Sequence, residues 1–329
     1  MKRLGISATV AAAVLVAGCG GSSSPPASTA STAAKARAKA APARRPVALH
    51  VAGQRLLPAP VQLPGLAAVG SRVLAAGGLD TADTSVTSVL RVAPGAPRRE
   101  GTLPVATHDI GAAALGGRVY LFGGGTASGP VDTITAVTPG GATRVVGHLP
   151  VALSDAAAVT LGTTIYVIGG YTTTTPLRSV LAFRPGRPVR EAAALPHPVR
   201  YAAAAAVGGR ILVAGGTTGT AARREILSVD PATRRVRVLG RLPAPLAHAA
   251  GASIGSTFYV IGGRGDSLSG QKRGIWAVDA RTGRHRPAGQ LPVALSDVSA
   301  VSVGGHVLVV GGRDAGGRVH AEVLELVPR

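Results

Sequence analysis

Polar side chains recur at one fixed offset along this chain. Six residues after the leucine of each of six Leu-Pro pairs stand Leu63, Asp109, Asp155, Tyr201, His248 and Asp297. Just before four of them lie His108, Ser154, Arg200 and Ser296. A second set follows six Gly-Gly pairs and includes Asp80, Tyr171, Thr172, Thr217, Arg264, Asp266, Arg313 and Asp314. Carboxylates and guanidiniums of this kind hydrogen-bond ligand hydroxyls or pair with ligand charge, so the chemistry suits a sugar, a peptide or a cation. Three acids brought together would offer oxygen ligands to a hard cation. The competing reading is that Asp109, Asp155 and Asp297 brace their own turns by accepting backbone N–H bonds.

Other chemistry is poorly supplied. The chain has no HExxH, no pair of cysteines and no EF-hand loop, so no metal site, cofactor or catalytic residue is assigned. Cys19 is the single cysteine, which excludes a disulfide framework. His108 and Asp109 are neighbours, and strand neighbours point to opposite faces. The eight histidines are scattered and read as surface or turn residues. Arg264-Gly265-Asp266 spells an adhesion tripeptide, but a turn after Gly-Gly accounts for it.

The elements that must position these residues repeat six times. Apolar runs end in Gly-Gly with first glycines Gly77, Gly123, Gly169, Gly215, Gly262 and Gly311, at spacings of 46, 46, 46, 47 and 49. The leucine of each Leu-Pro stands twenty residues earlier. A period near 45–50 residues built from short strands predicts a propeller or a solenoid. Each repeat reads as four strands. The first is small and alanine-rich, as in 111–115, 202–207 and 299–303, and suits the crowded axis. The second is apolar throughout, and the third alternates, as in 88–94, 133–139, 179–185, 225–231, 274–280 and 322–328. The fourth is polar and rich in arginine, as in 232–243, which protects an outer edge. The sixth repeat stops after its third strand, and residues 47–58 read as an isolated fourth strand. The N-terminal strand is therefore expected to complete the last blade and close the ring.

This repeat resembles the kelch motif, over residues 47–329 and in six copies. The tryptophan usual in the fourth strand is absent, with Trp276 in a third strand, so the filling is aliphatic. Tyrosine precedes Gly-Gly by a few residues only at Tyr120, Tyr166 and Tyr259. The resemblance implies an all-β, six-bladed kelch-type propeller closed by an N-terminal strand. It also implies that ligands sit where the loops entering the first strands meet the loops after Gly-Gly, around the central channel. The candidate ligand-binding residues are then Asp109, Asp155, Tyr201, His248, Asp297, Arg200, Tyr171, Arg264 and Arg313. The propeller is also similar to the central domain of galactose oxidase, whose copper site needs a Tyr–Cys crosslink. Cys19 lies far from any such position. It is similar as well to bacterial sialic-acid epimerases with kelch repeats, where His248 with Asp155 or Asp297 would serve as acid and base.

The N-terminus supplies an address. Lys2 and Arg3 precede an uncharged, mostly apolar run from Leu4 to Gly18, shorter than a membrane span. The string Leu15-Val16-Ala17-Gly18-Cys19 resembles the bacterial lipobox, which implies lipidation at Cys19. Residues 1–18 are thus expected to be a lipoprotein signal peptide, and 19–46 the lipidated cysteine with a flexible linker. The expected location is the outer side of the bacterial cytoplasmic membrane, or the outer membrane. Net charge is +20, with seven Lys and Arg and no acid in residues 1–46. Arginine outnumbers lysine by 31 to four and concentrates in the fourth strands without interleaved aromatics, so no specific nucleic acid is expected. The expected protein is a monomeric binding or interaction module for a protein or a carbohydrate at the cell envelope. The alternative is a carbohydrate-active enzyme such as a sialic-acid-type sugar epimerase.

Overall fold

Short apolar strands that end in glycine pairs cannot bury themselves alone, and here they fold as six antiparallel sheets of four strands. The computed structural model describes residues 47–329. Residues 1–46, with the expected signal peptide, Cys19 and the expected linker, lie outside the described residues. Blade 1 comprises Gly65–Val69, Arg72–Ala76, Ser88–Ala93 and Arg98–Thr102, counted from the axis outward. Blade 3 has the same plan, with Ala157–Leu161, Thr164–Ile168, Ser179–Phe183 and Arg190–Ala194, and so do blades 2, 4 and 5. Blade 2 adds a small hairpin of Gly125–Thr126 and Gly129–Pro130 after its Gly-Gly. There is no helix among the described residues, and so none long and apolar enough to cross a membrane. The fold is a six-bladed, kelch-type β-propeller.

Blade 6 closes as expected. Ser299–Val303, His306–Val310 and Glu322–Pro328 are completed by Leu49–Leu56, in register from Leu49 opposite Pro328 to Leu56 opposite Glu322. Leu49 is buried between blades 5 and 6, and Tyr259 Oη donates to the Val47 carbonyl at 2.8 Å. In every blade the register of the two outer strands slips once, which raises the local twist.

The core lies between blades, in six apolar clusters. Each Leu-Pro leucine is buried there, and its amide donates to the residue just before the third strand of its own blade or next to it, as in Leu103 to Thr87 at 2.7 Å. Phe183 packs edge-on against Phe122 with ring centres 5.3 Å apart, and few other aromatics contribute. The alanine of the first strands has a direct cause. A Cβ placed on Gly251 would lie 2.4 Å from the Ala204 carbonyl oxygen of the neighbouring blade. Alanine dominates the channel wall, with Leu66, Val159 and Val301 among its larger members, and at Gly251 itself no side chain fits.

Two rings of backbone bonds fasten the blades. In the first, the second glycine of each Gly-Gly donates to a carbonyl in the next blade's entering loop. Gly124 reaches Leu153 at 2.8 Å, and Gly312 of blade 6 reaches Val61 of blade 1 at 2.9 Å. At Gly311 φ is +63°, and a Cβ there would sit 2.0 Å from the Val61 oxygen, so only glycine fits. The second ring lies at the channel mouth and carries the site.

Candidate functional site

The six residues at the fixed offset share one backbone conformation that most residues avoid. Leu63, Asp109, Asp155, Tyr201, His248 and Asp297 have φ between +52° and +61°. None is glycine, so each carries the strain of a left-handed conformation. Their amides form a closed cycle. Asp109 donates to Leu63, Asp155 to Asp109, Tyr201 to Asp155, His248 to Tyr201, Asp297 to His248 and Leu63 to Asp297, at 2.9–3.2 Å. The left-handed backbone turns the amide and carbonyl along the ring and leaves the side chains aimed at the axis. All six line a cavity of about 150 Å³ at the head of the channel. It abuts two further pockets of about 480 and 300 Å³ beneath the loops that follow Gly-Gly, and His248 borders all three.

The side chains form two chains of contacts that meet at a stacked pair. Arg200 is ion-paired with the buried Asp155, and its guanidinium lies over Tyr171 at 4.0 Å from the ring centre. Arg200 also donates to Tyr201 Oη at 3.1 Å, and Tyr201 Oη donates to Asp109 Oδ2 at 3.2 Å. The Tyr201 ring stacks on His248 with centres 3.7 Å apart. His248 Nδ1 meets Asp297 Oδ1 at 2.5 Å, and Ser296 Oγ donates to Asp297 Oδ2 at 2.5 Å. Arg264 Nη2 lies 2.9 Å from His248 Nε2. A guanidinium can only donate, so Nε2 accepts and the ring proton sits on Nδ1, bonded to Asp297.

Burial sets the charge states apart. Burial, then the charges of Asp155 and Asp297, pushes the Asp109 carboxyl well above the usual carboxylate range. Burial would raise Asp297 too, but bonds from His248 and Ser296 and the Arg264 charge outweigh it and hold Asp297 below that range. Burial, helped by Asp109 and Asp155, pushes the Tyr201 phenol up, so it remains a donor. Burial holds His108 below its ordinary value against the pull of Asp155. A mouth with a carboxyl of raised pKa, a phenol, an imidazole and anchored ionic groups offers donors and acceptors at short range. That set suits hydroxyls, amides or a ligand charge.

Five of the nine candidate residues, Asp109, Asp155, Tyr201, His248 and Asp297, line the cavity, and Arg200 and Arg264 join them through direct contacts. Tyr171 stands one layer out, beneath Arg200. Arg313 does not line the central cavity; its Nη1 pairs with Asp83 Oδ1 at 3.0 Å, and both border the larger flanking pocket. The turn-bracing reading of Asp109, Asp155 and Asp297 is overturned: their carboxylates bond side chains of other blades or of Ser296. Asp80, Asp230, Asp279 and Asp314 cap backbone amides instead. The expected opposition of His108 and Asp109 also fails, because the left-handed turn at Asp109 brings Oδ2 to 3.7 Å from His108 Nε2. Among the described residues no three acidic, His or Cys side chains converge as a metal site. In the Arg264-Gly265-Asp266 turn, Asp266 caps the Ala222 amide of the neighbouring blade at 2.6 Å.

Gln62 and Asp83 belong to the mouth as well. The buried Gln62 Nε2 donates to Asp83 Oδ1 at 2.7 Å, and both border the larger flanking pocket. Gln62 occupies the position equivalent to His108 and Arg200, so superposing the repeats marks it. Asp83 sits in a loop whose length varies between repeats, and no spacing marks it. His320, expected at a surface or turn, is buried between Asp314 and Glu322, at 3.0 and 3.1 Å.

Residues 152–186 match the family described as Kelch motif, a stretch that runs through the mouth loop and the three inner strands of blade 3. No curated protein matches the chain. Propellers of the kelch type generally serve as protein-interaction modules.

Proposed function

We propose that this chain is a lipid-anchored, extracytoplasmic binding module that holds a protein or glycan partner at the channel mouth. The observation that supports it is the six-residue ring. Five of six equivalent residues are polar, all six accept backbone strain, and all six aim at one cavity. A purely structural ring would favour glycine, asparagine or aspartate at such positions, and Tyr201 and Leu63 are bulkier than that role needs. Cys19 and the signal-like residues before it motivate the anchor and the location. Leu268, 78% exposed on a loop over the flanking pocket, extends the mouth with an apolar contact suited to a protein partner. The enzyme alternative needs His248 as a base, and its Nε2 already accepts from Arg264.

The test combines thermal unfolding of the full chain, against a panel of sugars and sialic acids, with photo-crosslinking from position 268 in the native envelope. A ligand that raises the midpoint in the parent and not in Asp109→Asn or His248→Gln assigns a glycan site. A single crosslinked protein, lost in the same variants, assigns a protein partner. A parent that responds to neither refutes the mouth as the binding site.

A further inference from the structure

On the face opposite the mouth, blades 3 and 4 enclose a groove of about 420 Å³. Four arginines line it: Arg184, Arg187, Arg190 and Arg234. Glu191 is the single acid among the lining residues. Arg184 is fixed by donation from Nε to Thr164 Oγ1 at 2.6 Å. Arg234 Nη2 points at the Glu191 carbonyl from 3.4 Å. Arg187 and Arg190 have no side-chain hydrogen bond or ion pair among the described residues, although four like charges repel. Tyr166, Ala182 and Pro188 give the groove a less polar wall.

The backbone singles out this place. The turn between third and fourth strands contains a left-handed glycine in each of blades 1, 2, 3 and 5, at Gly95, Gly141, Gly186 and Gly283. Blade 4 puts Arg234 there, at φ +57°. A long side chain in a conformation that four sister turns give to glycine is a strained choice, and the long bond to the Glu191 carbonyl is its one side-chain hydrogen bond among the described residues. Its result is a fourth guanidinium in the groove.

We propose that this groove binds an organic phosphate, with the phosphate on the arginine forks and the carbon skeleton against Tyr166 and Pro188. Guanidinium pairs match the oxygens of a phosphate in two-pronged bonds, which a lysine cluster would not do. The volume admits a small phosphate ester or one unit of a phosphate polymer. The site is separate from the mouth, so it stands whether or not the mouth binds.

Calorimetric titration of the full chain with inorganic phosphate, glycerol 3-phosphate and linear polyphosphate tests it. The proposal expects glycerol 3-phosphate to bind more tightly than inorganic phosphate. Arg187→Ala/Arg190→Ala and, separately, Arg234→Gly weaken binding about tenfold or more. Arg234→Gly also keeps or raises the unfolding midpoint, because it restores the residue its sister turns use. Binding of polyphosphate alone, lost in the same variants, assigns the polymer as the source. The control is Arg144→Ala/Arg281→Ala, which removes equal charge from exposed positions in blades 2 and 5. Equal weakening by the control, or no binding of any probe by the parent, overturns the proposal. So does an Arg234→Gly chain that unfolds earlier yet binds normally.

Discussion

The amide of Leu63 donates to the carbonyl of Asp297 at 2.9 Å, across the seam between the first blade and the last. This bond completes the cycle of six at the channel mouth, so the ring that aims the polar side chains is also part of what closes the propeller. Site and closure are one backbone circuit. Its members come from all six repeats, and none can shift without disturbing two neighbours.

The glycine latch at the same seam is directly testable. Gly311→Ala would force a left-handed alanine, costing about 1–2 kcal/mol, and push a methyl into the Val61 carbonyl. Urea denaturation of Gly311→Ala is expected to show a clearly lower midpoint than the parent. Gly265→Ala, whose Cβ meets open space, should match the parent. Equal midpoints for both variants would show that the latch carries no load.

The Arg200–Asp155 pair predicts a non-additive pair of substitutions. Asp155 is buried with its side chain 2% exposed, and Arg200 is the cation against it. Arg200→Ala strands a carboxylate and should cost about 3 kcal/mol or more. Arg200→Ala/Asp155→Asn removes the stranded charge and should recover a large part of that loss. A double-mutant cycle on unfolding free energies measures the coupling. A double variant no more stable than Arg200→Ala alone would refute the buried pair.

Asp109 predicts a pH profile with a definite sign. Burial and two nearby carboxylates raise its pKa in the fold, so the native state keeps a proton that the unfolded chain releases near about pH 4. The stabilising share of that proton is complete below about pH 4 and is lost as pH rises through the native value. Asp109→Asn keeps a neutral group there, so its unfolding midpoint should gain on the parent's as pH rises. Asp297 runs the other way: its pKa is lowered, and its contribution is lost as pH falls. Parallel profiles for parent and Asp109→Asn from acid to alkaline pH would show an ordinary Asp109.

The architecture was legible because a repeat multiplies weak signals. One Gly-Gly after an apolar run says little, but six of them fixed the strands at 111–115 and 299–303 to the residue. The closing strand was legible from what the sixth repeat lacked, and it pairs at Leu49–Leu56. Side-chain partnerships were harder. Tyr201 and Asp109 are two repeats apart in sequence, and their bond depends on how blades crowd at the axis. The strand rule misled for His108 and Asp109 because an aspartate tolerates a left-handed turn but adopts it in only a minority of places. Asp83 escaped notice since the loops after Gly-Gly share no common length.

The strand Leu49–Leu56 runs from the arginine-bearing face toward the mouth, locked along its length to Glu322–Pro328. A partner gripped at the mouth and a tether drawn from Val47 would pull in opposite directions along that strand. The load would then slide the two strands past each other, and every rung would resist together rather than parting one by one. Under the proposed anchor, tension from the N-terminal side would load the pairing of Leu49–Leu56 with Glu322–Pro328 in shear rather than by peeling.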